Sequence, residues 1–205
     1  HARVYNLYIN CSFYDAYHAD MSKINENITN ALMRCLQVTG NDSTDALIGI
    51  NHTTAHIPDM LESIPLKNII NQRTKKTKTA IIVSTGPSLN KQLELLKQVQ
   101  NHATIISVDS SYPILKAHGI KPDYVTSIER VEYTSEFFNS KPSEFDKDII
   151  FLTATLTHPT TLNYLKGRNA AYILKPLPYE LGFEDDDFGY LAGGQSAAHL
   201  SFEIA

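Results

Sequence analysis

The stretch Thr79-Ala80-Ile81-Ile82-Val83-Ser84-Thr85-Gly86-Pro87-Ser88-Leu89 does most to limit the folds open to this chain. Ala80 to Val83 are apolar without a break, so they read as a strand buried on both faces rather than one half in water. A small polar turn follows, and Leu89, Leu93 and Leu96 then recur at helical spacing. A strand running through a Gly-containing turn into a helix is a unit of parallel α/β architecture. The same turn presents free N–H groups and the positive end of a helix dipole to an anion. One reading puts a nucleotide phosphate against Gly86-Pro87-Ser88. The other is a plain strand-to-helix turn, with Gly86 for geometry and Ser88 as N-cap. The stretch has neither the Walker A nor the GxGxxG spacing.

Beyond it, strands and helices alternate. Thr104–Val108, Tyr124–Ile128, Ile149–Thr153 and Ala171–Leu174 read as strands. Helices are expected over 91–101, over 113–117 with a stop at Gly119, over 159–165, and after Gly193-Gly194-Gln195-Ser196. This pattern predicts an α/β, Rossmann-like and mostly parallel sheet, doubly wound with flanking helices, preceded by an N-terminal helical segment. The expected division is 1–78, helices and the basic linker Arg73 to Lys78, and 79–205, a Rossmann-like nucleotide-binding domain; the resemblance given below makes it a nucleotide-sugar-binding domain cut short at its C-terminus.

In residues 1–78, Ile24, Ile28, Ala31, Leu32 and Cys35 form one apolar stripe, with Gly40 placed to end that helix. A short run, Ala46 to Ile50, follows, and Pro58 is placed to open a further helix that Pro65 interrupts. His52 and His56 have i, i+4 spacing but no evident third metal ligand, so a surface or capping role is expected. A net charge of −4 argues against a nucleic-acid partner, and no apolar run is long enough to span a membrane. Two cysteines, Cys11 and Cys35, suit a reducing, cytoplasmic setting. The sequons at Asn10, Asn27, Asn41 and Asn51 read as chance in an Asn-rich stretch. The chain lacks a start methionine and a signal peptide, which suggests a piece of a longer polypeptide.

In open α/β sheets ligands bind beyond the carboxyl ends of the strands, at the point where strand order reverses. That rule selects Thr85, Gly86, Pro87 and Ser88, then Asp109 and Ser110, then Glu129 and Arg130, then Thr155. Asp109 suits ribose or base recognition, or an Asx-turn. Glu129 and Arg130 pair a carboxylate with a guanidinium fork, for substrate or as a rim salt bridge. Gly193, Gly194, Gln195 and Ser196 form a second Gly-rich helix start, an anion nest or a close helix–sheet contact. Asp185 and Asp187 have the Asp-x-Asp spacing that can hold a divalent metal, within a run of acids that suits a solvated loop. His118, His158 and His199 read as caps or packed residues.

Several motifs together carry a resemblance: Ile81 to Leu89, Ile105-Ile106-Ser107-Val108-Asp109, His118 to Asp123, Ser127-Ile128-Glu129-Arg130, and Gly193 to Leu200. In this order they resemble the central domain of the motility-associated factor (Maf) flagellin glycosyltransferases. Thr39-Gly40-Asn41-Asp42 and Ile57 to Leu61 are similar to the segment before it. The Gly86-Pro87-Ser88-Leu89 turn also resembles the CMP-binding turn of bacterial sialyltransferases, which do not depend on an Asp-x-Asp metal centre.

The resemblance implies transfer of a nonulosonic acid, pseudaminic or legionaminic, from a CMP-activated donor to Ser or Thr of flagellin, in support of flagellum assembly and motility. It implies no required cofactor, and it leaves the need for a divalent metal open. Gly86 to Ser88 and Gly194 to Ser196 would serve the phosphate, Asp109 or Glu129 the ribose or base, and Arg130 the phosphate or the sugar carboxylate. Glu129 and Arg130 are the catalytic candidates here. The sialyltransferase pattern puts the base beyond the helix that begins near Ser196, so this segment is expected to bind donor weakly and to be inactive alone. Two alternatives stand beside it. One is an ATP-dependent, Mg²⁺-requiring pyrophosphokinase of the related hydroxymethylpterin type, which would recruit Glu184 to Asp187. The other is a non-catalytic module that binds flagellin.

Overall fold

The computed structural model describes residues 11–39, 43–73, 77–183, 187–191, 194 and 196–205. The chain divides into two compact units, 1–47 and 48–205. The first contains α1 (Cys11–Ala16) and α2 (His18–Thr39). The apolar stripe foreseen on α2 is not sealed: Ile24 is 50% exposed, and Cys35 is an exposed free thiol. Gly40, Asn10 and Asn41 lie outside the described residues.

Next in the chain is α3 (Ser43–Glu62), one helix rather than the two expected, with Pro58 in its interior. Helix α4 (Leu66–Arg73) follows after Pro65. Then come β1 (Ala80–Val83), α5 (Leu89–Val99), β2 (Thr104–Val108), α6 (Tyr112–Ala117) and β3 (Tyr124–Ser127). A 3₁₀ run over Glu132–Phe138 leads to β4 (Ile150–Ala154), α7 (Pro159–Leu165), β5 (Asn169–Ile173), α8 (Pro178–Leu181) and α9 (Ala197–Ile204). Gly119, just past α6, has φ of 66°, the left-handed conformation foreseen for that stop. No described helix is long and apolar enough to cross a membrane.

The five strands form one parallel sheet, in the order β1-β2-β3-β4-β5. The α/β, Rossmann-like reading therefore holds, with one difference. Among the described strands the order does not reverse, so they form no switch-point crevice. With every step taken in the same direction, the connecting helices lie on one face and the sheet is not doubly wound. Right-handed steps that all progress the same way put every connecting helix on the same face. On that face Val83, Ile105, Val125, Phe151 and Tyr172 meet Leu93 of α5, Leu115 of α6 and Leu162 of α7.

The opposite face carries Ile106, Val108, Leu152 and Ile173, and segments from outside the strand–helix alternation cover it. These are Leu66 and Ile69 of α4, and Ala197 and Leu200 of α9. Met60 of α3 joins the core of the first face. Within the N-terminal helical segment expected over 1–78, Leu66 and Ile69 of α4 thus pack on the sheet, because a sheet buried on both faces needs a second cover.

Candidate functional site

The carboxyl ends of the strands hold most of the chemistry. After β1 the chain turns through Ser84 to Ser88 into α5. The Gly86 amide donates to the Ser84 carbonyl at 2.9 Å, and the Leu89 amide to the Gly86 carbonyl at 3.0 Å. Pro87 has no N–H, so Ser88 carries the amide left for an anion, not the whole Gly86–Ser88 turn. Ser88 occupies the N-cap position in a helical conformation, and its side chain makes no cap bond. That departs from the capping role considered for it. Gly86 does not have positive φ, and a Cβ there would meet nothing nearer than the Ser88 Oγ at 3.8 Å. The fold itself does not require glycine at 86, so the space above it stays open to a ligand.

From this turn a polar row crosses to the neighbouring strands. The hydroxyls of Thr85 and Ser110 hydrogen-bond to each other, linking the ends of β1 and β2. Asp109, only 6% exposed, accepts from the Ser110 amide at 2.7 Å and from the Ser127 hydroxyl at 3.1 Å. Burial pushes its pKa up to about 6, against those two hydrogen bonds, and the nearby Glu129 charge adds to the rise. Glu129 and Arg130 leave β3 partly exposed, next along the row. The sequence rule thus brings Thr85, Gly86, Ser88, Asp109, Ser110, Glu129 and Arg130 to one edge.

It does not bring Thr155 there. That hydroxyl is fully buried and donates to Glu180 Oε1 at 2.7 Å. Thr53 donates to the same oxygen at 2.8 Å, and the Lys175 amide holds Glu180 Oε2. Glu180 has no exposed surface, and burial raises its pKa against these donors. Thr155 is part of a sealed latch between α3 and the ends of β4 and β5, not of a ligand wall.

The i, i+4 histidines belong to the same contact. His52 Nδ1 lies 3.1 Å from the Leu156 carbonyl, and His56 Nδ1 lies 2.7 Å from that of Thr155. A carbonyl only accepts, so both rings carry their proton on Nδ1. His56 is 4% exposed and His52 is partly buried, and both bond carbonyls after β4, so neither ring is simply a surface cap. His158 caps α7 as expected, accepting from the Thr160 amide at 3.3 Å, and its ring stands 5.2 Å from that of His52. His118 Nδ1 bonds the Ile114 carbonyl, likewise a capping contact.

Of the second Gly-rich start, Gly194 and Ser196 are described, and Gly194 is shaped by packing. A Cβ on Gly194 would fall 2.3 Å from the His199 Cβ, so glycine is required there by close approach. Ser196 hydrogen-bonds His199 at 3.0 Å and makes no side-chain cap. Gly193 and Gln195 lie outside the described residues, as do Glu184, Asp185 and Asp186. Asp187 pairs with Lys67 of α4 at 2.7 Å, on the exposed surface. Among the described residues no three His, Cys, Asp or Glu side chains group as a metal site.

Sequence reasoning named Ser127 only as part of the Ser127-Ile128-Glu129-Arg130 motif and gave it no role, whereas the structure sets its hydroxyl on Asp109. It missed Glu180, which lies in α8 after β5 and carried no local signal.

Comparison with known proteins accords with this architecture. A solved structure, the Maf glycosyltransferase from Magnetospirillum magneticum AMB-1, shares the fold with a TM-score of 0.50 and 20% identity over 62% of this chain. The chain spans 20% of that protein's length. No curated protein matches it. A family model described as 6-hydroxymethylpterin diphosphokinase MptE-like matches residues 51–205, which takes in the latch of α3, the whole sheet and the row of strand ends, and the chain belongs to that family.

Proposed function

We propose that this chain is the donor-binding part of a glycosyltransferase that uses a CMP-activated nonulosonic acid and modifies Ser or Thr of flagellin. The observation that carries the reading is the row of strand ends: the open Gly86 turn, the Thr85–Ser110 hydroxyl pair, Asp109 held by Ser127, and then Glu129-Arg130. Adjacent strands lie about 4.8 Å apart, so the β1 and β3 ends stand about 10 Å from one another. A nucleotide carrying a sugar can span that distance. The fold shared with a Maf glycosyltransferase supports the same assignment.

In such a transfer the bond from the anomeric carbon to the phosphate oxygen breaks, and its electron pair leaves with CMP. The acceptor oxygen bonds to that carbon and gives up its proton to a base. The Ser88 amide and the start of α5 favour the charge that grows on the departing phosphate. In this reading Asp109 would serve the ribose hydroxyls, and Arg130 the phosphate or the sugar carboxylate. Glu129 is the candidate base among the described residues of the row.

Calorimetric titration with CMP, UMP and AMP tests this. CMP is expected to bind the most tightly, and Gly86→Trp, which fills the open space, is expected to abolish binding. Preference for another nucleotide defeats the reading.

The name of the matching family favours a second reading, diphosphate transfer from ATP to a hydroxymethylpterin. ATP binding that depends on Mg²⁺ and exceeds CMP binding would select it.

A further inference from the structure

β1 stands at one end of the sheet and pairs with β2 alone among the described strands. The Thr79 carbonyl accepts from the Thr104 amide at 2.9 Å, so Thr79 faces β2. Successive residues of a strand turn their backbone groups to opposite sides. The N–H and C=O of Ala80 and Ile82 are therefore directed away from the sheet. Ala80–Val83 contains no charge and no proline, the usual guards of an edge strand.

Beside this edge runs an open groove of about 690 Å³, between β1 and α5. Ile81, Leu95 and Val99 give it an apolar wall, and Leu95 is 54% exposed. The groove reaches from Ala103, near the amino end of the strand, to Gly86 and Ser88 at the carboxyl end. Backbone donors and acceptors along one side and aliphatic side chains along the other select an extended polypeptide. A purely aliphatic ligand would bury the Ala80 and Ile82 groups without partners, which is costly. A strand pairs with them and lays every second side chain against Leu95 and Val99.

We propose that the free edge of β1 binds an extended polypeptide segment as an added strand, and that this segment belongs to the acceptor. The second half rests on the donor reading above. A segment of about six residues laid along β1 ends beside the Gly86 turn, so a Ser or Thr at that end is delivered to the donor row.

The test titrates the chain, without nucleotide, into a fluorescent peptide that alternates valine with threonine and carries a lysine and a serine at each end. Binding is expected, with slower hydrogen exchange at the Ala80 and Ile82 amides. N-methylation of the peptide's amides is expected to weaken binding about tenfold or more. Ala80→Pro is expected to do the same, because it removes one outward N–H at an exposed first position where proline is tolerated. Leu95→Gln, a change at an exposed position of α5, is expected to weaken binding about threefold. No binding, or binding that neither N-methylation nor Ala80→Pro weakens, overturns the proposal. Protection of the Ala80 and Ile82 amides in the free chain overturns it too, because the chain itself would then hold the edge. A dimer that Ala80→Pro dissociates gives the edge to a second copy and equally overturns it. The CMP titration is read separately: a chain that binds the peptide but no nucleotide keeps the docking edge, and loses the acceptor role together with the donor reading.

Discussion

Asp109 shows most directly how one residue trades stability for chemistry. Its carboxyl is nearly buried, and its pKa rises from 3.8 to about 6. A group whose folded pKa is raised favours the fold fully below its unfolded pKa and loses that advantage as pH climbs through the folded value. Between pH 4 and 6 Asp109 therefore withdraws roughly 3 kcal/mol, and at neutral pH it is a burden to the fold. Asp109→Asn is expected to raise stability at pH 7 by about 1–3 kcal/mol, seen as a higher melting temperature, and to weaken nucleotide binding. Gly86 and Gly194 make a matched pair at the same scale. Gly86→Ala meets only ordinary contact and should leave the melting temperature within a few degrees, whereas Gly194→Ala drives a Cβ into His199 and should destabilise by about 1–3 kcal/mol.

At the scale of the element, α3 decides which strand ends stay open. Its inner side is tied down by Thr53 to Glu180, His52 to the Leu156 carbonyl and His56 to the Thr155 carbonyl. Glu180→Ala leaves three buried donors without their acceptor and should cost about 2–4 kcal/mol, with faster hydrogen exchange concentrated in α3. Acid acts on the same contact. Burial holds both histidines below 6.5, opposed by their carbonyl bonds. His158 and Arg130 beside His52 lower it further, while around His56 the other rings lower and Asp59 raises. A depressed folded pKa gives stability that is present above the unfolded value and is lost as pH falls through the folded one. The α3 amides should accordingly lose protection as pH falls below the ordinary histidine range. This is opposite in sign to the Asp109 effect, so it should stand out in Asp109→Asn.

For the molecule as a whole, the sheet needs cover on both faces. All its crossovers lie on one face, and α4 and α9 supply the other. A polypeptide of residues 43–205 contains both covers and the latch of α3. It should unfold as one cooperative transition by circular dichroism. A polypeptide starting at residue 79 exposes Ile106, Leu152 and Ile173 where Leu66 and Ile69 pack, and should aggregate. The same arrangement explains why the site lies along the strand ends instead of in a crevice between two halves of a sheet.

Local pattern determined much of this protein. The apolar runs gave five parallel strands, and the strand-end rule gathered Thr85, Gly86, Asp109, Glu129 and Arg130 at one edge. Those signals are carried by neighbours in the chain, so the sequence displays them. Contacts between distant segments decided the rest. Thr155 looks like a site residue until Thr53 and Glu180 close around it, across sequence separations of 102 and 25 residues. Gly194 looks like an anion nest until His199 fills the space against it. Burial and charge at these positions are properties of the packed whole, and no window of sequence contains them.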